Sequence, residues 1–150
     1  MKRNCRMKKK LIILSGGFAF IVLVLLVLSF TLTRQTVDWD FIQKVGGIKT
    51  DIPLKTDEGF YLPVICNVSG LDSITIKPTN LNSALTCKRI KSIIIENTIH
   101  LKVITGLVVS KKENCNCIGV EVGNLKHGSY LVYYGDKSSF EHPIGKFTIK

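Results

Sequence analysis

The sequence lacks the short motifs that carry the familiar catalytic chemistries. It contains no Gly-x-Ser-x-Gly nucleophile motif, no phosphate-binding glycine loop and no His-Glu-x-x-His zinc motif. Acidic residues are also few, 11 in all, and the pairs Asp57/Glu58 and Asp136/Glu141 fall in turn-like stretches where carboxylates are normally solvated. We therefore expect a protein that is not an enzyme and that uses no cofactor.

Charge is missing from one long stretch and is concentrated just before it. Leu11 to Leu32 contains no charged residue, whereas six of the 21 basic residues stand in the first ten positions. As a helix, this apolar run would span about 33 Å, enough to cross a hydrocarbon core of ~30 Å. Basic flanks stay on the cytoplasmic side. The pattern predicts a cytoplasmic tail over 1–10 and a transmembrane signal-anchor helix over 11–33, held in membrane lipid through Leu11 to Leu32.

Beyond the predicted anchor, the chain has no excess of charge that would favour nucleic acid. Residues 34–150 carry 15 basic and 11 acidic side chains, and the basic ones are not interleaved with aromatic residues. We expect no nucleic-acid partner, and we expect this part to lie outside the cytoplasm, periplasmic or extracellular.

Residues 34–47 are predicted as a juxtamembrane linker, where Trp39 is either an interfacial anchor or a plug at the base of the domain.

From residue 48 to residue 150 the hydrophobic pattern is that of short strands. In "TIHLKVIT", Ile99, Leu101 and Val103 alternate with the residues between them, so they would share one face of a strand. Further apolar runs recur about every ten residues, with turn residues between them. These runs are "FYLPVICNV", "SITIK", "SIII", "CIGVEV", "YLVYY" and "KFTIK". The pattern predicts about seven strands in an antiparallel β-sandwich.

One motif refines this fold class. The segment "NLKHGSYLV" contains the pattern Leu-x-x-Gly-x-Tyr, carried by Leu125, Gly128 and Tyr130. It resembles the tyrosine corner of immunoglobulin-like sandwiches, in which the tyrosine hydroxyl bonds to backbone a few residues upstream. The resemblance implies an immunoglobulin-like β-sandwich. In antibody-type domains a cysteine follows two residues after the tyrosine; Val132 stands there in this chain, so the antibody disulfide is not implied.

The cysteines favour disulfides over chemistry. Cys5 lies on the predicted cytoplasmic side, whereas Cys66, Cys87, Cys115 and Cys117 lie on the oxidising side, where an even number in a small domain favours disulfides. Residues i and i+2 of a strand are about 6.6 Å apart, which is the upper limit for a disulfide. We therefore expect Cys115 and Cys117 each to pair with one of Cys66 and Cys87. A Cys115–Cys117 bond in a turn and free thiols are the alternatives.

A metal site is the competing hypothesis for the Cys-x-Cys pair. Such pairs occur in zinc and copper sites, and His100, His127 or His142 could complete a ligand set, although none of the three has ligand spacing to another. We expect no resident metal and keep a metal-binding domain as the alternative.

The first hypothesis for the function is a single-pass membrane protein whose external sandwich binds a protein partner, in envelope assembly or inhibition.

Overall fold

The computed structural model describes residues 20–28, 35–82, 84–108 and 118–150. The chain divides into two units, Met1–Arg34 and Gln35–Lys150. In the first unit, residues 20–28 form a helix, α1. No helix within the described ranges is long and apolar enough to cross a membrane. Most of the predicted anchor, 11–33, lies outside the described residues.

The second unit is mainly β. Its elements in chain order are β1 (Gln35–Thr36), α2 (Trp39–Lys44), β2 (Ile48–Thr50), β3 (Leu54–Thr56), β4 (Gly59–Cys66), β5 (Leu85–Ile95), β6 (Thr98–Leu107), β7 (Gly119–Glu121), β8 (Gly128–Tyr134) and β9 (Pro143–Ile149). Across the described part of the unit these strands form two sheets, consistent with a β-sandwich. The count exceeds the predicted seven because β1, β2 and β3 are too short to show a sequence period.

The larger sheet is built around β6. β5 pairs along one side of β6, whereas β1 and β8 share the other side, and β9 pairs with β8. β6 and β8 run parallel, with Thr98 opposite Leu131 and Leu101 opposite Tyr134. The prediction of a purely antiparallel sandwich is therefore wrong at this pair. The chain leaves β6 for β7 in the other sheet and returns as β8, so β8 re-enters in the direction of β6.

The smaller sheet is built around β4. β2 and β3 pair antiparallel with successive parts of β4, and β7 pairs with it through Leu62 and Val120. The strand predicted over "SITIK", residues 73–77, is wrong: this stretch is irregular. The N–H groups of Ile74 and Thr75 donate to the carbonyl of Gly46 at 3.2 and 3.0 Å. These backbone groups therefore bond to the turn after α2 and do not form a strand ladder.

The core lies between the sheets and follows the alternation read from the sequence. Ile99, Leu101 and Val103 of β6 are fully buried, as predicted. Complete burial of one such side chain contributes about 1.5–3 kcal/mol, which is why this stripe determines the face that β6 turns inward. The other buried members of the core are Val37, Ile42, Ile48, Leu62, Val64, Cys66, Val68, Cys87, Ile90, Val122, Tyr130, Val132, Tyr134 and Phe147.

The second unit also includes residues 35–47, which the sequence suggested as a linker. Asp38 caps α2, where its Oδ1 accepts a hydrogen bond from the N–H of Phe41 at 2.8 Å. The short helix buries Ile42, and Val45 is buried directly after it. The compact unit therefore starts at β1, ahead of the residue 48 boundary, because α2 supplies apolar side chains to the same core.

Candidate functional site

The two longest strands, β5 and β6, form a hairpin with a tight turn. Two residues connect Ile95 to Thr98, and the first of them, Glu96, has a φ of +52°. A positive φ at this position is typical of the two-residue turns that match the twist of the flanking strands. The register shifts once, between Cys87 and Arg89. From Arg89 to the turn the ladder is regular.

The turn determines which backbone groups of β5 face outward. Residues that flank a two-residue turn bond to each other, and bonded pairs then alternate with non-bonded ones along an antiparallel ladder. Ile95 and Ile93 therefore direct their N–H and C=O groups at β6, whereas Ile94 and Ser92 direct theirs away from it. No second strand of the described residues pairs with β5. The outward backbone groups of Ile94 and Ser92 thus have no hydrogen-bond partner there.

The side chains along this edge are apolar near the turn and cationic farther from it. Ile93 and Ile94 are 49% and 41% exposed. Arg89 and Lys91 are also exposed, and alternation places both on the same face as Ile93. No carboxylate of the described residues forms an ion pair with either cation. The edge combines unpaired backbone groups, apolar contact area and positive charge.

One contact with the smaller sheet limits the open part of this edge. The Ser92 hydroxyl donates to the carbonyl of Glu121 in β7 at 3.4 Å. Because β7 lies beside β5 at this point, the inner face of the edge is flanked there. The face that carries Arg89, Lys91 and Ile93 points away from the smaller sheet. We call the strand from Arg89 to Ile95, with its outward backbone groups, the β5 edge.

The sheet face beside the β5 edge buries a histidine. His100 lies directly opposite Ile93 in the ladder and is only 1% exposed. Its ring stacks on Tyr133, with centroids 5.6 Å apart, and meets the ring of Phe140 edge-on at 5.2 Å. Neither ring nitrogen has a hydrogen-bond partner among the described residues. Phe140 itself is 55% exposed, so an apolar row continues from the β5 edge across the sheet.

A pocket lies where β1 and α2 meet the loop between β8 and β9. Trp39 stacks on His142, with centroids 4.5 Å apart and an interplanar angle of 7°. Lys102 Nζ and Asp136 Oδ1 form an ion pair at 2.6 Å in the wall of this cavity of about 300 Å³. Trp39 packs partly buried against the core, as the plug interpretation requires. Lys102 and Asp136 neutralise each other, which leaves the carboxylate of Asp38 as a charged group in the lining.

Tyr134 fastens the start of the domain to β8. Its hydroxyl donates to the carbonyl of Val37 at 2.7 Å, and its side chain is almost fully buried. Burial raises the pKa of the Tyr134 hydroxyl, since the charged phenolate would lose its hydration there. The hydroxyl therefore stays protonated and remains a donor well above neutral pH.

The predicted disulfide cysteines are only partly placed. Cys66 ends β4 and Cys87 lies in β5, and both are buried in the core. Cys87 is disulfide-bonded, whereas no disulfide joins two of the described residues. Cys115 and Cys117 lie outside the described residues. The expected pairing of Cys115 and Cys117 with Cys66 and Cys87 therefore stays a prediction.

The residues of the Leu-x-x-Gly-x-Tyr motif lie together where the chain enters β8. The Tyr130 hydroxyl accepts a hydrogen bond from the N–H of Lys126 at 3.0 Å and donates to its carbonyl at 3.2 Å. Leu125 packs against the core. Gly128, the first residue of β8, has a φ of +148°, a conformation that favours glycine. The hydroxyl thus ties the strand to backbone four residues upstream.

The three histidines proposed as metal ligands lie in different surroundings. His100 is under Phe140, His142 stacks on Trp39, and His127 lines a surface pocket near the C-terminus. In the described part of the chain, no three histidine, cysteine or acidic side chains group as a metal site would require. The Cys115–Cys117 half of the hypothesis lies outside the described residues.

Sequence reasoning did not single out the β5 edge, although a signal for it is present. "KRIKSIII" combines basic residues with a β-branched run, and lysine and arginine are characteristic of edge strands. Comparison of the chain with protein-family models, with curated proteins and with solved structures finds no match.

Proposed function

We propose that the chain is a non-catalytic protein-binding module that takes a strand of its partner onto the β5 edge. One observation carries the proposal: the N–H and C=O groups of Ser92 and Ile94 are unpaired among the described residues, beside the exposed side chains of Ile93 and Ile94. An unpaired edge is a template for another chain, and its main-chain bonds supply affinity for an extended segment. Exposed apolar residues at the same place add contact area.

The proposal extends to fold class and location. The hydroxyl of Tyr130, bonded back to Lys126, supports an immunoglobulin-like plan for the sandwich. The uncharged run from Leu11 to Leu32 and the basic tail over 1–10 support an anchor that leaves residues 35–150 outside the cytoplasm. In that setting the module would serve envelope assembly or the inhibition of an external protein.

Site-specific photo-crosslinking in intact cells tests the proposal. A photoreactive amino acid replaces Ile93 in the full chain, and in a matched control it replaces Lys55, which is exposed on β3. We expect a discrete protein adduct from position 93 and none from position 55. Ile94→Pro in the position-93 chain should abolish the adduct, since it removes an outward N–H without touching the β5–β6 ladder.

Two results would contradict the proposal. The first is the same adduct from positions 93 and 55, which would indicate contact by proximity alone. The second is an adduct from position 93 that survives Ile94→Pro, which would mean that the partner does not use the backbone of the β5 edge.

A further inference from the structure

We infer that the segment bound at the β5 edge is an extended acidic peptide strand: two carboxylates at alternate positions, beside Arg89 and Lys91, and an apolar residue at the next alternate position, beside Ile93. This inference rests on the proposed function, strand addition to β5, and names the chemistry of the partner.

Strand geometry sets the spacing of the partner's side chains. An added strand would lie about 4.7–4.9 Å from β5, and its side chains would alternate between the two faces of the sheet. On the outer face, every second residue of the partner would stand beside Arg89, Lys91 or Ile93. Directly opposed residues stabilise the pair when their charges are opposite and destabilise it when they are alike. The outer face therefore selects two acids followed by an apolar residue.

No charged group of the described residues neutralises Arg89 or Lys91. Lys102, which lies opposite Lys91 in the ladder, is already paired with Asp136 at 2.6 Å. Arg89 and Lys91 form no such pair with the described residues. The strand itself carries no acidic residue. A carboxylate from outside is thus the natural counter-ion at both positions.

A second copy of this chain is the main competing occupant. Pairing two β5 edges about a two-fold axis would bring Arg89 and Lys91 of both copies close together, with no acid on either strand. Basic side chains on edge strands oppose this kind of edge-to-edge association. The same charges that disfavour self-pairing attract an acidic strand.

Peptide titration tests the inference. The full chain, labelled with nitrogen-15 in detergent micelles, is titrated with the synthetic peptide Thr-Glu-Thr-Glu-Thr-Val-Thr and with its reversed sequence, because either strand direction satisfies the pairing. In matched peptides both glutamates are replaced by glutamine or by lysine. We expect the amide signals of Ser92 and Ile94 to shift, with binding of the acidic peptide about tenfold tighter than that of the glutamine peptide. The lysine peptide should cause no shift.

Two variants separate the contribution of the cationic side chains to peptide binding from that of the backbone hydrogen bonds. Charge reversal, Arg89→Glu with Lys91→Glu, should invert the order so that the lysine peptide binds best. Ile94→Pro should abolish the shifts with every peptide. Equal binding of the glutamate and glutamine peptides, still lost in Ile94→Pro, would overturn the acidic partner and leave strand addition standing.

The remaining outcomes also decide the question. If no peptide shifts the β5 amides, the inference is overturned, while the crosslinking experiment decides strand addition separately. A dimer of the full chain that is lost in Ile94→Pro and unaffected by the peptides would overturn it as well, because it would identify a second copy as the occupant.

Discussion

The β5 and β9 edges of the larger sheet are each met by the smaller sheet through one side-chain hydrogen bond, at Ser92 in β5 and at Ile144 in β9, but they differ in the residues they present. We call the β5 side, with its exposed isoleucines, the open half, and the β9 side, where Gly145 lies against Thr50, the closed half. On the closed half, the Thr50 hydroxyl of β2 donates to the carbonyl of Ile144 in β9 at 3.5 Å. Gly145 allows this approach, because a Cβ added there would overlap the Thr50 hydroxyl. On the open half, Ile93 and Ile94 of β5 remain exposed. The β9 strand also has exposed residues, but these are Pro143, Lys146 and Thr148, so the two edges differ in the kind of side chain that they expose.

The residues at the two edges differ in size and charge. Gly145 in β9 lets the Thr50 side chain of β2 approach the edge closely. The exposed residues near the turn in β5 are basic or branched, and the outward backbone groups of Ser92 and Ile94 have no partner among the described residues.

Proline substitution gives the largest expected contrast within the open half. Ile93→Pro removes an N–H that bonds to β6 and should lower the free energy of unfolding by about 3 kcal/mol. Ile94→Pro removes only an outward N–H and should cost less than about 1 kcal/mol. Urea titration of the full chain in detergent measures both, with Trp39 fluorescence as the signal. Ile94→Val is the control for the lost side chain.

Equal losses of stability in the two proline variants would contradict the assignment of inward and outward backbone groups in β5. That result would mean either that Ile94 bonds to β6 or that its outward groups are covered. In both cases the β5 edge would not be open, and the proposed strand addition would fall with it.

The sequence predicts those parts of the fold that depend on local alternation. The stripe of Ile99, Leu101 and Val103 is visible in the sequence because an inward face repeats every second residue. The parallel pairing of β6 with β8 is not visible, since it depends on where the chain re-enters the sheet after β7. Alternation alone does not predict the burial of His100, which lies on the face opposite this stripe and is nevertheless buried.

The candidate site was less predictable than the fold. Arg89 and Lys91 are recognisable as basic residues in a run, but nothing local shows that no neighbouring strand covers them. The whole fold determines which strand of the smaller sheet comes near each edge: β7 contacts β5 at Ser92, and β2 contacts β9 through Thr50. The tyrosine motif is the opposite case, since its hydrogen bond spans only four residues, from Tyr130 to Lys126.

A substitution at Gly145 tests the closed half. Gly145→Val should lower the free energy of unfolding by about 2 kcal/mol, because the new side chain must displace Thr50. Thr50→Ala alone should cost less, and in the Gly145→Val background it should restore part of the loss. Urea titration of the four chains gives a double-mutant cycle. Simple additivity would show that Thr50 does not seal this edge.

The stability of the domain should also depend on alkaline pH, through the Tyr134 hydroxyl that donates a hydrogen bond to Val37. Because burial raises its pKa, the folded chain keeps the phenol proton when the unfolded chain, with an ordinary pKa of about 10, has lost it. This stabilisation is complete below about pH 10 and is lost as the pH rises further. The free energy of unfolding should fall by about 1.4 kcal/mol per pH unit from this group.

Tyr134→Phe isolates that contribution. The variant should lose about 1 kcal/mol at pH 7 through the missing hydrogen bond, but its stability should fall less steeply above pH 10 than that of the unsubstituted chain. The other tyrosines are common to both chains and cancel in the difference. Identical slopes would show that the Tyr134 hydroxyl is not protected from solvent.

The smallest expected effect is a gain in stability at His100, beside the open edge. Two buried ring nitrogens without partners cost stability, so His100→Phe should raise the free energy of unfolding by about 1 kcal/mol while keeping the ring against Tyr133 and Phe140. His142→Phe is the control, since His142 is partly exposed and should give no gain. A loss of stability in His100→Phe would mean that these nitrogens have bonding partners in solution. A gain would show that the unpaired, buried imidazole next to the β5 edge lowers the stability of the open half.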